Sequence, residues 1–194
     1  MRIGIDISQA VYEGTGVGRY VREMVKNLVK QDQTNTYVLF GSSLRLRGKL
    51  EAIYNEVQRI NPTVEKVILP LPPALLDILW NKLHIIPVTW FTGPLDIFWS
   101  SDWIQPPLGK VKGITTIHDL SFVKFPESFE SQKIRLHRGQ ILQAVVDVQK
   151  RRLNHAVKEC SHFLCDSEAT KRDVETFFRV PASKLSVIYP GFSS

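Results

Sequence analysis

The chain has 194 residues, 43% of them hydrophobic, and a formal net charge of +6; that is enough for one sizeable core, or for a domain with a tail. It contains no run of about 18 apolar residues, which excludes a transmembrane helix, and no apolar stretch of signal length behind Met1, which argues for a cytoplasmic protein. Its two cysteines, Cys160 and Cys165, lack metal-type spacing and read as reduced packing residues; the basic residues are spread out, with no zinc-finger or RNA-recognition signature, so no nucleic-acid partner is expected.

Apolar runs and helical patterns alternate along the whole chain. Residues 2–7 read as a strand. A glycine-spaced loop, Gly14-Thr15-Gly16-Val17-Gly18, leads to a helix beginning near Gly18, with Tyr20, Val21, Met24, Val25, Leu28 and Val29 as its apolar stripe. Tyr37–Phe40 is a second strand. A helix with Leu46, Leu50, Ile53, Tyr54, Val57 and Ile60 on one face ends at Asn61-Pro62, and Val67–Leu69 is a third strand stopped by prolines. Ala74–Leu83 reads as an apolar helix, and residues 85–91 as a loop or broken helix. Leu95–Trp99 is a fourth strand, followed by Trp103 and a proline-rich stretch. Gly113–Ile117 is a fifth strand that runs directly into His118-Asp119. A long helical region covers about Glu130 to Glu159. Phe163–Cys165 is a sixth strand, Ser167 can cap a helix over Glu168–Phe178, and Leu185–Tyr189 is a seventh. Strands alternating with helices predict an α/β fold with a doubly wound, mostly parallel sheet. Residues 1–189 are expected to form one domain, and 190–194 the start of a linker to another.

Several residue groups stand where chemistry is expected. In open α/β sheets ligands bind beyond the carboxyl ends of strands, and His118 is a titratable imidazole delivered to such a point; a hydrogen-bonded core histidine is the plainer alternative. Strand alternation sets His118 and its neighbour Asp119 on opposite faces, so Asp119 reads as orienting a loop or binding a sugar hydroxyl rather than as a base. The loop holding Gly14, Gly16 and Gly18 is either a flexible turn or a phosphate cradle at a helix start; its spacing is not Gly-x-Gly-x-x-Gly, and no P-loop lysine follows. Asp166-Ser167-Glu168 is both a capping sequence and a candidate anion site facing the same cleft as His118. Lys133, Arg135, His137, Arg138, Lys150, Arg151, Arg152 and Lys158 form a solvated helix face or an anionic-membrane contact. Trp80, Trp90, Trp99 and Trp103 read as core and cleft wall.

Taken in chain order, these segments resemble a known family. Gly4-Ile5-Asp6 leads to Gly14-Thr15-Gly16-Val17-Gly18-Arg19-Tyr20. Trp90–Pro94 precedes Asp96–Ser100, and Ile117-His118-Asp119-Leu120 leads to Phe125-Pro126-Glu127. Residues 165–173 form a serine-led helix start, and Lys184–Gly191 matches an interdomain junction. The chain is similar to the N-terminal, acceptor-side domain of family 4 retaining glycosyltransferases, a Rossmann-like half of the two-domain GT-B fold. The resemblance implies transfer of a hexose, mannose being common, from a nucleotide sugar to a glycan or lipid-linked acceptor. It implies no metal and no cofactor besides the donor itself. It also implies that the missing C-terminal donor-binding domain is the partner without which this half is inactive, and that peripheral contact with the inner membrane face is available. It assigns His118 a catalytic place beside the transferred sugar. Gly14, Gly16 and Gly18 would lie near the donor diphosphate, and Ser167, Lys171, Asp119 and Trp103 on the substrate side. Trp99 and Ser101 depart from the family pattern where a histidine and a proline are usual. The competing expectation is a stand-alone binding module for a glycan, glycolipid or nucleotide, without chemistry.

Overall fold

The computed structural model describes residues 1–100, 103–125 and 145–191. A sheet of seven strands organises them: β1 Arg2–Asp6, β2 Thr36–Ser42, β3 Glu65–Leu69, β4 Ile97–Ser100, β5 Lys112–Ile117, β6 Cys160–Cys165 and β7 Leu185–Val187. Their order is β3-β2-β1-β4-β5-β6-β7 and every pair is parallel. The chain winds outward from β1 to β3, then returns to lay β4 on the other side of β1. The direction of winding reverses between β1 and β4, which is where a parallel sheet opens a crevice at its carboxyl edge.

Neighbouring strand residues point to opposite faces, and the two cores follow from this. Phe40, Phe98, Ile117 and Phe163 pack on one face with Trp80 and Leu153. Ile5, Leu39 and Trp99 pack on the other with Val21, Val25, Leu50 and Val57. The second core is covered by α1 (Gly16–Gln31) and α2 (Arg47–Ile60). The first lies beneath α6 (Val145–Glu159) and a segment that begins as α3 (Pro73–Leu76) and continues as a π-helical turn over Asp77–Lys82. A π-helical turn is wider than an α-helical one, and here it carries Trp80 into the core, where the indole N–H donates to the Ile86 carbonyl at 2.9 Å. His84 joins this segment to α6: its Nε2 meets Glu159 Oε1 at 2.5 Å, and its ring stacks on that of His155 at 3.7 Å.

The remaining short helices are α4 (Thr89–Thr92) and α5 (Ser121–Lys124), with α7 (Glu168–Phe178) leading towards β7. Boundaries differ from the sequence reading in a few places. β1 ends at Asp6, although the Ile7 N–H still donates to Phe40 at 2.7 Å. The seventh strand stops at Val187, and β4 starts at Ile97. Residues 85–91 include the start of α4, and α5 follows His118-Asp119 where no helix was expected. Residues 126–144 lie outside the described residues, and with them Lys133, Arg135, His137, Arg138 and the first half of the expected long helix.

The basic face assigned to that helix needs a correction. Arg152 is 1% exposed, and its guanidinium donates to the Thr115 hydroxyl and to the Thr116 carbonyl at the end of β5. Arg151 meets Asp77 at 3.5 Å. These two arginines therefore tie α6 to the sheet and to the π-helical turn, and do not extend a solvated surface. Of the tryptophans, Trp80 and Trp99 are core, whereas Trp90 is 77% exposed. Both cysteines are buried and unpaired, and burial pushes the Cys160 thiol up to about 12 and the Cys165 thiol to about 11.

Candidate functional site

The carboxyl edge of the sheet gathers the chemistry-bearing residues. The last registered pair of β5 and β6 is Ile117 with Cys165. One residue further on come His118 and Asp166, side by side on adjacent parallel strands, and His118 Nδ1 lies 2.6 Å from Asp166 Oδ2. Both side chains are shielded, 16% and 20% exposed. The carboxylate partner of His118 is thus Asp166, 48 residues away, and not its neighbour Asp119. The Asp119 carboxylate accepts from the Ser121 N–H at 2.8 Å and from the Ser121 hydroxyl. That arrangement holds the start of α5, the loop-orienting alternative named for it above.

One further contact holds the imidazole, and another holds the His118 backbone. The Tyr20 ring meets the imidazole edge-on, with centroids 5.0 Å apart, and Tyr20 also packs edge-on against Trp99 at 6.3 Å. The indole N–H of Trp99 donates to Thr116 Oγ1 at 3.0 Å. The Tyr20 hydroxyl is buried beside Thr116 but makes no hydrogen bond of normal geometry. Burial raises its pKa above the ordinary tyrosine range; Thr116 opposes that shift and the Asp166 carboxylate adds to it. The His118 carbonyl accepts from Thr170 Oγ1 at 3.1 Å, which ties the strand end to the first turn of α7.

Ser167 caps α7. Its Oγ accepts from the Thr170 N–H at 3.1 Å and lies 3.0 Å from Thr170 Oγ1. Ser167 therefore reaches His118 through Thr170, with its own oxygen engaged in the cap. Lys171 stands in the same first turn, and its ammonium makes no ion pair among the described residues.

The glycine segment is not a loop running up to Gly18. Thr15 is the cap of α1, accepting from the Gly18 N–H at 3.0 Å, and helical geometry begins at Gly16. Neither Gly14, Gly16 nor Gly18 has a positive φ, so the left-handed conformation that would require glycine at Gly16 is not present. Gly14 and Gly16 have open space where a side chain would go. At Gly18 a Cβ would fall 2.3 Å from the Tyr12 carbonyl oxygen. Gly18 is small so that α1 can press on the turn before it; Gly14 and Gly16 leave the helix N-terminus uncovered, with N–H groups available to an anion.

Trp103 is in another part of the edge. A pocket of about 30 Å³ lies between Ser8 and Gln9 beyond β1, Ser42 and Ser43 at the end of β2, Pro73, and Trp103 beyond β4. This is the crevice side of the winding reversal, and its volume suits about one water molecule. No hydrogen bond or ring contact links Trp103 to His118 among the described residues. The same residues contain no group of three or more His, Cys, Asp or Glu placed to hold a metal ion, and no helix long and apolar enough to cross a membrane.

Sequence reasoning missed Tyr20, Thr116 and Thr170 as neighbours of His118, and saw Asp166 at a strand end in a capping or anion-site segment, not as the partner of the imidazole. Among curated proteins no sequence matches the chain. The family model described as Glycosyltransferase Family 4 matches residues 14–193. That span runs from the α1 cap through His118, Asp166 and α7, so six of the seven strands, β2 to β7, and the His118–Asp166 pair fall within the match, while β1 precedes it. The chain belongs to glycosyltransferase family 4, as a GT-B-type N-terminal domain.

Proposed function

We propose that this domain is the acceptor side of a retaining transferase that moves a hexose, mannose in the first instance, from a nucleotide sugar to a glycan or lipid-linked acceptor. The observation that carries the reading is His118: a ring fixed at the carboxyl end of a central strand, one nitrogen anchored on Asp166, inside a sugar-transferring family. In the reaction the bond from the anomeric carbon to the donor phosphate breaks. A bond from the same carbon to an acceptor hydroxyl oxygen forms on the face the phosphate leaves, and the hydroxyl proton goes to the departing diphosphate. Charge on that diphosphate has to be stabilised by fixed dipoles or cations. This chain offers the N-terminus of α1 at Gly16. A second domain would supply the cations and the nucleotide site, so the chain alone is inactive on this reading. Ser167, Lys171 and Asp119 would border the acceptor, and no metal is invoked. The protein would work in the cytoplasm and touch the inner membrane face when its acceptor is a lipid; the net charge of +6 supports that contact with anionic headgroups.

The test is transfer itself. GDP-mannose and UDP-glucose, each labelled in the sugar, are offered to the two-domain protein with glycan and lipid extracts as acceptors, and the product's anomeric configuration is read by NMR. Label is expected in an acceptor from one donor, with configuration retained, and none with the 194-residue chain alone. Inverted product, or no transfer by the two-domain protein from any nucleotide sugar, would remove the reading.

A further inference from the structure

We infer that Asp166 is a positioning residue that fixes the tautomer of His118, and so decides what kind of group His118 accepts at the site. The inference rests on the transferase reading for its substrate, but its physical core does not. An ionised carboxylate only accepts hydrogen bonds. With Asp166 Oδ2 at 2.6 Å, His118 Nδ1 must carry the hydrogen. In the neutral ring, Nε2 is then bare and can only accept. Nothing among the described residues hydrogen-bonds Nε2.

The surrounding contacts make this geometry hard to escape. A flip of the ring about its second torsion would take Nδ1 away from Asp166. The edge-on Tyr20 ring at 5.0 Å occupies one side, and the Thr170 hydroxyl holds the His118 carbonyl at 3.1 Å. Asp166 Oδ1 is buried with no hydrogen-bond partner, so no other side chain among the described residues competes with His118 for the carboxylate. Strand register, not a flexible loop, supplies the pairing, because His118 and Asp166 continue the Ile117–Cys165 pair.

The consequence is chemical. A bare Nε2 accepts from a hydroxyl and gives no hydrogen bond to a phosphate oxygen, which has no proton to offer. The neutral His118 of this chain therefore recognises a sugar hydroxyl, of the transferred hexose or of the acceptor, and leaves the diphosphate to other groups. Had Nδ1 faced a donor instead, Nε2 would carry the hydrogen and the preference would reverse.

Long-range proton–nitrogen correlation of the imidazole rings tests this on the 194-residue chain at about pH 8.5, roughly two units above the ordinary histidine pKa. Among the five histidines, the His118 signals are identified by their loss in His118→Ala. The native chain is expected to show His118 with Nδ1–H and bare Nε2. Asp166→Asn keeps the shape but can donate as well as accept, so a substantial share of Nε2–H should appear. In the two-domain protein the same change should lower kcat about tenfold and leave donor KM within about twofold, the pattern of an interaction made at the transition state. An Nε2–H tautomer in the native chain overturns the proposal without any variant, and so does Asp166→Asn with an unchanged tautomer and unchanged kcat. If the tautomer is as expected but the native two-domain protein transfers no sugar, the transferase reading fails and the role of Asp166 in fixing the ring stands.

Discussion

In the two-domain protein proposed above, replacing His118 by alanine is expected to lower kcat by about two orders of magnitude, with donor KM changed by less than about threefold. The magnitude is that of losing one positioned hydrogen-bonding group from a water-poor site, on the order of 100-fold or more. KM should move little because, on the proposed reading, the second domain binds the nucleotide and the imidazole meets the sugar end of the reaction. The variant has a structural cost as well. Asp166 loses the partner of its Oδ2 while its Oδ1 already has none, and an unsatisfied shielded carboxylate costs about 1–3 kcal/mol. Melting temperature has to be recorded beside kcat. A fall in both kcat and kcat/KM well below what lost folding explains supports a role in the reaction. Normal turnover would return His118 to the plainer alternative, a hydrogen-bonded core histidine.

Gly18→Ala and Gly16→Ala are expected to behave oppositely. At Gly18 an added Cβ would sit 2.3 Å from the Tyr12 carbonyl oxygen and 3.0 Å from that of Gln9. Both are backbone atoms of the turn over Ser8–Val11 and its exit, which packs against α1 and cannot swing aside as a side chain would. Overpacking of this kind costs about 1–3 kcal/mol or more; for a domain of this size each kcal/mol lowers the melting temperature by about 2–4 °C. At Gly16 nothing lies within 4 Å and φ is not positive. Alanine there should hold or raise the melting temperature, because helix propensity adds up to about 1 kcal/mol of stability. Its effect on transfer is then a clean reading of whether the open N-terminus of α1 meets the diphosphate. Equal melting temperatures for the two variants would contradict the packing described for Gly18.

The three glycines show where reading the sequence stops. Their spacing suggests one loop with one purpose. Only the distances separate Gly18, which is small for packing, from Gly14 and Gly16, which are small with nothing beside them. The sheet was legible because each strand is an apolar run bounded by turn residues, and that alone delivered His118 to the carboxyl edge. Asp166 was visible as a strand-end acid, but its bond to His118 depends on the register of β5 against β6, which no local pattern encodes. Tyr20 lay in plain sight in the α1 stripe; a stripe says that a residue faces the sheet, not which strand end it meets. Arg152 is the avoidable error. Gln149, Arg152, Leu153 and Ala156 are all buried and follow the helical i, i+3, i+4, i+7 spacing, so the pattern already placed the arginine on the inner face. Its charge alone suggested solvent, and the hydroxyl of Thr115 and the carbonyl of Thr116 that accept from it sit on a strand 37 and 36 residues earlier.

On the proposed reading, the transferred sugar meets the acceptor at the carboxyl edge of the sheet, against His118. A crystal structure of the two-domain protein with an intact nucleotide sugar measures it directly. The expected result is a hydroxyl of the hexose, or of a bound acceptor, about 2.7–3.2 Å from His118 Nε2, with Asp166 still on Nδ1 and the diphosphate away from the imidazole. A hexose bound elsewhere on the domain, or a phosphate oxygen hydrogen-bonded to His118 Nε2, would contradict it.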